Sequence, residues 1–94
     1  MIPTNRIATH PGVFVRENLD GLGLKQTDLA AHTGMSLQRI NELVNGKRGV
    51  TAETAWLLAQ AFGTTPEFWM NAQAVHDLTK NRPAKALPKL KRAA

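Results

Sequence analysis

Several side chains between positions 37 and 42 carry hydrogen-bonding groups that match the edges of DNA bases. Gln38 and Asn41 have amides that pair bidentately with adenine. Arg39 suits guanine O6 and N7, Glu42 accepts from cytosine N4, and Leu37 suits a thymine methyl. Each good bidentate pair discriminates against a wrong base by about 1–3 kcal/mol. These five residues are therefore the predicted base-reading set.

Some of these residues also have interpretations that involve no base contact. Arg39 is as well suited to clamping a phosphate, or to an ion pair with Glu42 three residues further along a helix. Glu42 is alternatively a solvated charge that repels phosphates and orients Arg39. Leu37 is alternatively a packing residue against the following helix.

The surrounding segment, Gln26 to Asn45, predicts two short helices joined by a tight turn at Gly34. Glycine adopts the left-handed backbone of such a turn without a Cβ penalty. Ser36 then offers its hydroxyl as an N-cap to the free N–H groups of the second helix. Helical spacing places the following residues inside: Leu29, Ala30, Met35, Ile40 and Leu43. This is the geometry of a helix-turn-helix, whose second helix enters the DNA major groove.

Two more helices flank this pair and complete its core. The first is predicted from about Val13 to Asp20, with Gly21 and Gly23 ending it. Its inward residues are Phe14, Val15 and Leu19, and Leu22 and Leu24 are expected to tuck beneath the next element. Thr51 caps the fourth helix, whose core-facing stripe is Ala55, Leu58, Ala59 and Phe62.

A fifth helix starts at Thr64-Thr65-Pro66-Glu67 and is predicted to run to about Thr79. Its inward stripe is Phe68, Ala72, Val75 and Leu78. Because apolar surface also extends well round the helix, we predict a homodimer interface, formed by Trp69, Met70, Ala74 and Leu78. The alternative is that a small protein simply leaves some hydrophobic residues exposed.

Length and composition indicate one all-α domain with a basic extension. The 94 residues, 43% of them hydrophobic, suffice for a single core, which we place in residues 1–79. Residues 80–94 carry six basic residues and no acid, whereas the remainder has six basic and seven acidic residues. The folded part is thus nearly neutral, and 80–94 is predicted to be a flexible tail that adds phosphate contacts, solubility or partner contacts.

Other function classes find little support. No apolar run is long enough to span a membrane, and the zero cysteines fit a reducing cytoplasm. His10, His32 and His76 are scattered without metal-binding spacing, and the sole serine is better explained as a cap. No glycine-rich phosphate loop is present. We therefore expect no enzyme, no catalytic residue, no metal, no cofactor and no small-molecule substrate.

Three segments together resemble one family. They are His-Pro-Gly at 10–12, Asn-Gly-Lys-Arg-Gly-Val-Thr at 45–51 and Pro-Glu-Phe-Trp at 66–69. The chain resembles the HigA-type antitoxins, also called virulence-associated protein I, of the Xre or Cro/C1 helix-turn-helix family. The resemblance covers about residues 7–79. It implies a five-helix domain like that of the lambda repressor, which reads DNA with its third helix.

The resemblance also implies partners and contacts. Such antitoxins dimerise, bind an operator in double-stranded DNA ahead of their own operon, and silence a RelE-like messenger-RNA endonuclease. By matching position, Gln26 and Asn45 resemble phosphate contacts, and Lys47 and Arg48 lie on a loop suited to the same role. The predicted phosphate-binding set is Gln26, Ser36, Asn45, Lys47 and Arg48. Acids at Glu17, Asp20 and Asp28 are the predicted contacts to a basic toxin.

Two alternatives remain open from the residues alone: a stand-alone repressor without a toxin, and a protein-binding module that no longer grips DNA. The chain also departs from the family pattern at two positions. Lys25 replaces the usual Ser or Thr cap, so the second helix is uncapped or begins later from Thr27. Leu57 replaces a polar residue and is predicted to lie outside the core stripe, while Trp56 is expected to pack between helices.

Overall fold

The computed structural model describes residues 2–93, and this part of the chain contains five α-helices and no strand. The helices are α1 (Pro11–Leu22), α2 (Gln26–Thr33), α3 (Leu37–Val44), α4 (Ala52–Phe62) and α5 (Pro66–Lys80). The predicted all-α, five-helix architecture is confirmed. α3 packs against α1 and α2, while α4 packs against α2 and α5.

α1 is longer at both ends than its apolar pattern predicts. His10 caps it, because the Nδ1 atom of its ring accepts the Gly12 N–H at 2.9 Å, and Pro11 occupies the first turn. Gly21 lies inside the helix, so its expected role as a terminator was wrong, and Gly23 alone ends α1 with a φ of 68°.

Leu22 and Leu24 were expected beneath the next element, and that expectation was wrong. Both side chains are exposed, at 59% and 44%. The cause is the way α1 ends: the Leu24 N–H bonds back to the Leu19 carbonyl at 2.9 Å, which closes the helix end in a compact turn. That turn keeps both leucines at the surface.

The helix pair α2 and α3 has the predicted turn. Gly34 takes a φ of 79° after α2, and Ser36 accepts the Arg39 N–H at 3.1 Å to cap α3. α2 begins at Gln26 without a side-chain cap from Lys25, as one alternative predicted. Asp28 compensates in part, since its Oδ2 atom accepts the Lys25 N–H at 2.8 Å.

The core lies between all five helices. Its buried hydrophobic residues are Val15, Leu19, Leu29, Met35, Ile40, Leu43, Val44, Val50, Ala55, Leu58, Ala59 and Trp69. Every apolar residue predicted inside the helix-turn-helix is buried or packs against this core. Gly12 permits the closest approach, because a Cβ added there would lie 1.9 Å from the Leu43 carbonyl oxygen. The start of α1 therefore rests directly on the end of α3.

α4 presents the predicted residues to the core, but Trp56 and Leu57 each lie where the sequence analysis placed the other. Leu57 is half-buried and packs against the core, so its expected place outside the packing was wrong. Trp56 is 58% exposed, so its expected packing between helices was also wrong. Ala55, Leu58 and Ala59 set the inward face, and position 56 points well away from it.

α5 is rotated by about one residue relative to the predicted stripe. Trp69 is fully buried, whereas Phe68 and Leu78 are 43% and 55% exposed. The tryptophan indole packs near the Phe62 ring, with centroids 6.0 Å apart, and its Nε1 atom donates to the Thr64 hydroxyl at 2.7 Å. Because the largest side chain of α5 finds both an apolar site and a polar partner, it fixes which face turns inward.

Polar residues on the same inward face of α5 hold two neighbouring segments. The Gln73 side chain accepts the Val50 N–H at 2.8 Å and so fastens the loop before α4. Thr79 accepts the Ala8 N–H at 2.8 Å, and the His76 ring pairs with the Ala8 carbonyl at 2.8 Å. α5 thus fixes both the N-terminal segment and the loop that follows α3.

Residues 82–93 form no regular secondary structure and are exposed. None of the helices within residues 2–93 is long and apolar enough to cross a lipid bilayer.

Candidate nucleic-acid interface

The outer face of α3 presents three of the predicted base-reading residues to solvent. Leu37, Gln38 and Asn41 are all exposed and lie within four positions of one another. The opposite face is held by Ile40, which is fully buried, and by Leu43. Rigid packing beneath and polar groups above are what a helix needs to enter a major groove.

A chain of hydrogen bonds runs along this face and joins three helices. Asn41 donates from Nδ2 to Gln26 Oε1 at 3.4 Å, and Asn45 donates from Nδ2 to Asn41 Oδ1 at 3.2 Å. Arg16 continues the chain, since its Nη2 atom lies 3.5 Å from Asn45 Oδ1. Long, exposed hydrogen bonds are weak and are readily replaced by hydrogen bonds to a ligand. These polar groups are therefore held in position but remain able to bind a ligand.

Arg16 is a member of this surface that the sequence analysis missed. Arg16 lies outside the predicted inward stripe of α1, but that position says nothing about its neighbours. The contact with Asn45 depends on how α1 crosses α3, because the two residues are 29 positions apart. No local pattern could have revealed it.

Arg39 is held by α4 instead of by Glu42, so the predicted ion pair with Glu42 was wrong. Its Nη2 atom donates to the Thr54 hydroxyl at 2.6 Å, and its Nη1 atom lies 3.4 Å from Glu53 Oε1. Residue 39 follows directly after the two exposed residues at the start of α3, and its side chain turns toward the first turn of α4. Arg39 therefore braces α3 against α4.

Glu42 pairs with Arg48, so it does not orient Arg39 as one interpretation held. Arg48 donates to Glu42 Oε1 from both Nε at 3.2 Å and Nη2 at 2.9 Å. This pair closes the loop back onto the last turns of α3. Lys47, next to it, is exposed, and its own N–H donates to the Glu42 carbonyl at 2.8 Å.

The remaining phosphate candidates lie around the same surface. Ser36 is exposed at the start of α3, where its hydroxyl is engaged as the cap. Gln26 begins α2, and Asn45 ends α3. Ser36 and Asn45 thus lie at the two ends of α3, while Gln26 reaches Asn41 from the start of α2.

Comparison with known proteins identifies the family. Residues 15–69 match the helix-turn-helix family. Virulence-associated protein A' of Dichelobacter nodosus is 42% identical over 72 residues, which are 76% of this chain and 63% of that protein. An addiction-module antidote protein of the HigA family from Coxiella burnetii superposes with a TM-score of 0.76 at 39% identity, over 80% of this chain and 83% of that chain. The chain belongs to the HigA-type branch of the helix-turn-helix family. It spans less than two thirds of virulence-associated protein A'.

Another HigA-type relative has been solved with DNA. Pseudomonas aeruginosa antitoxin HigA, in a structure with the higBA promoter, superposes with a TM-score of 0.75 at 33% identity. The superposition covers 80% of this chain and 82% of that chain.

The predicted dimer interface of this HigA-type chain needs one correction. Trp69 is fully buried within the chain and cannot contact a second copy, for the packing reasons given above. Met70, Ala74 and Leu78 are exposed and recur every four residues. Such a row is the ridge that packs between two helices in a common crossing geometry.

The predicted toxin-contacting acids are all exposed on α1 and α2. Glu17 and Asp20 are exposed one turn apart on α1, and Asp28 is exposed at the start of α2. Asp28 also lines an apolar cleft of about 270 Å³, together with Leu22 and Leu24. Asp28 is partly engaged by the Lys25 N–H, whereas Glu17 and Asp20 are exposed on the last two turns of α1.

The histidines are not as scattered as the sequence suggested. His10 and His76 meet edge to face, with ring centroids 4.8 Å apart. Partial burial lowers the pKa of His10 below its usual 6.5, and electrostatic interactions with His76 and Lys80 lower it further, against the opposing effect of Asp77. Within residues 2–93, no group of three or more His, Cys, Asp or Glu residues is arranged to hold a metal ion.

Proposed function

We propose that this protein is an antitoxin that binds its own operator as a homodimer, represses its operon and neutralises a RelE-like endonuclease. The observation that carries the proposal is the outer face of α3. It combines exposed Leu37, Gln38 and Asn41 with a loosely bonded border of polar groups. The family relative solved with its promoter supports DNA as the ligand of this face.

The contacts divide the predicted residues into two groups. Leu37, Gln38 and Asn41 are free to read bases, because their partners are weak or absent. We assign phosphate contacts to Gln26, Asn45 and Lys47, and Arg16 joins them through its contact with Asn45. In this proposal the border residues set the register of the helix and the three central residues supply the sequence preference.

Three charged residues of the predicted set have another task in the free protein. Arg39 would have to leave Thr54 to reach a base, and Glu42 and Arg48 would have to leave each other. We therefore assign Arg39 as a positioning residue. We infer that the Glu42–Arg48 ion pair holds the conformation of the loop after α3. Arg48 could bind a phosphate only if this ion pair broke.

The dimer of this proposal uses the row Met70, Ala74 and Leu78 on α5. The proposal requires that the paired α5 helices hold the two recognition helices on one side of the dimer. They would then read half-sites about one DNA turn, roughly 34–36 Å, apart.

The toxin contact of this proposal uses the acids on α1 and α2. RelE-like nucleases bind RNA and are expected to be basic, so acids steer the encounter electrostatically. Reversing Glu17 and Asp20 to lysine should slow association with the toxin at low salt. An unchanged association rate would contradict this surface. Failure of the chain to co-purify with any basic partner from its host would favour the stand-alone repressor.

Operator binding tests the proposal directly. The variant Gln38→Ala/Asn41→Ala should bind a duplex from its own promoter at least tenfold more weakly, since each lost base pair contact is worth about 1–3 kcal/mol. Gln60→Ala is the matched control, because Gln60 is an exposed amide on α4. Fluorescence anisotropy at moderate salt measures both. Equal affinities for the variant, the control and the parent would refute base reading by α3.

A further inference from the structure

Beyond Arg82, the basic residues of the tail form no ion pair with the folded domain within residues 2–93. Residues 80–94 carry six of the twelve Lys and Arg residues and no acid. Leu87 and Leu90 are 92% and 95% exposed, so the part of the tail that contains them does not pack on the folded domain. It also lies outside residues 15–69, the segment that matches the family.

The tail begins beside the loop that follows the recognition helix. Lys80, the last residue of α5, lines a cleft of about 200 Å³ together with Gly46, Lys47 and Arg48. Two residues later, Arg82 donates to the carbonyls of Pro3 and Thr4, both at 2.7 Å. These contacts fix the point from which the tail leaves the domain, next to groups that face the phosphates in the proposed complex.

The tail is long and extended enough to follow DNA beyond that point. Pro83 and Pro88 disfavour a helix, so an extended chain with about 3.1 Å per residue is expected. From Lys80 to Arg92 this gives a reach of roughly 37 Å, about one turn of DNA.

The folded domain has no net positive charge of its own. Its net charge is −1, and both Arg39 and Arg48 are paired with glutamates. All six basic residues of the tail are exposed and none is paired with an acid; Arg82 binds backbone carbonyls, and the four beyond it are Lys85, Lys89, Lys91 and Arg92. The tail therefore offers a run of cations without any acid, and each phosphate that it neutralises releases counterions and adds affinity irrespective of sequence.

We infer that residues 83–92 are a second DNA-contacting segment, which binds the phosphates of the duplex next to the half-site read by α3. This inference rests on the proposed operator binding. The tail then provides affinity and salt sensitivity, while α3 provides sequence preference.

The salt dependence of binding tests this division. Two variants of the full chain are compared with the parent on an operator duplex and on a scrambled duplex of equal length, each with a flanking turn of DNA. The charge variant is Lys85→Gln/Lys89→Gln/Lys91→Gln/Arg92→Gln. The matched control, Leu87→Ser/Leu90→Ser, alters the same segment without changing its charge.

The charge variant should show a plot of log affinity against log salt that is shallower by about 2–4, because each phosphate contact contributes about 0.9 to the slope. The loss should be equal on both duplexes, and the leucine variant should match the parent. Equal slopes for the charge variant and the parent, with operator preference retained, would overturn the tail inference alone. So would a leucine variant that binds DNA as weakly as the charge variant, which would indicate apolar contacts of the tail. If the parent bound the operator and the scrambled duplex equally, while the salt slopes of the parent and the charge variant still differed, only the proposed operator reading would be contradicted.

Discussion

Replacing Gly12 with alanine tests how closely α1 packs on α3, because the added Cβ should lower stability through a clash even though alanine favours the helix. The added Cβ would lie 1.9 Å from the Leu43 carbonyl oxygen and 2.9 Å from its carbonyl carbon. Both atoms belong to the backbone of α3, so no flexible side chain can move aside. α1 and α3 would have to separate by more than about 1 Å at this point.

The expected cost is at the upper end for overpacking, about 3 kcal/mol. That is a large share of the total stability of such a domain, about 5–14 kcal/mol. It corresponds to a fall in Tm of roughly 12–24 °C, since 1 kcal/mol shifts a domain of this size by about 4–8 °C.

Gly21→Ala is the matched control, because Gly21 lies in the same helix and its added Cβ would meet nothing within 4 Å. Alanine is the better helix former, so this variant should gain about 0.5–1 kcal/mol. Urea unfolding followed by circular dichroism measures both. A Gly12→Ala variant as stable as the parent, or two variants that shift in the same direction, would refute the contact between α1 and Leu43.

Two further predictions concern single side chains. The pKa of His10 is lower in the folded chain than in the unfolded chain, so the unfolded chain binds more protons between these two pKa values. The contribution of His10 to stability is therefore complete above about pH 6.5 and is lost as the pH falls below it. His10→Asn keeps a cap acceptor for Gly12 but cannot titrate, so it should lose less stability between pH 8 and pH 5; identical pH profiles in urea unfolding would contradict this. Trp69→Phe should destabilise by about 2 kcal/mol, because it leaves a cavity and removes the indole donor, whereas exposed Trp56→Phe should be near neutral. Thermal unfolding of both measures the difference, and similar Tm values would exclude the described packing.

The helix boundaries and caps were largely predictable because they depend on local chemistry. Gly34, Ser36 and Thr65 each satisfy a requirement of the backbone within three residues of themselves. The same holds for the buried face of α3, where Ile40 and Leu43 recur at helical spacing. These features would be the same in any fold that contained the segment.

The face of α5 was mispredicted because its inward positions are partly polar. Gln73, His76 and Thr79 turn inward to bond groups in the loop before α4 and in the N-terminal segment, up to 71 positions away. An apolar periodicity cannot register partners so distant. It therefore selected Phe68 and Leu78 in place of Trp69.

The predicted ion pair between charged residues of the candidate site was wrong for a related reason. Arg39 has an acid three residues ahead in the sequence, but its partners lie on α4, 14 and 15 residues away. Helical spacing correctly placed Gln38 and Asn41 on the exposed face of α3. Which of its charges are already paired depends on how the helices cross.

A footprint of the DNA ahead of its own gene tests the central claim most directly. Hydroxyl-radical cleavage with the purified full chain at moderate salt should show two protected half-sites about 34–36 Å apart, with protection lost in the Gln38→Ala/Asn41→Ala variant. A folded protein that leaves this DNA uniformly cleaved would contradict operator recognition by α3.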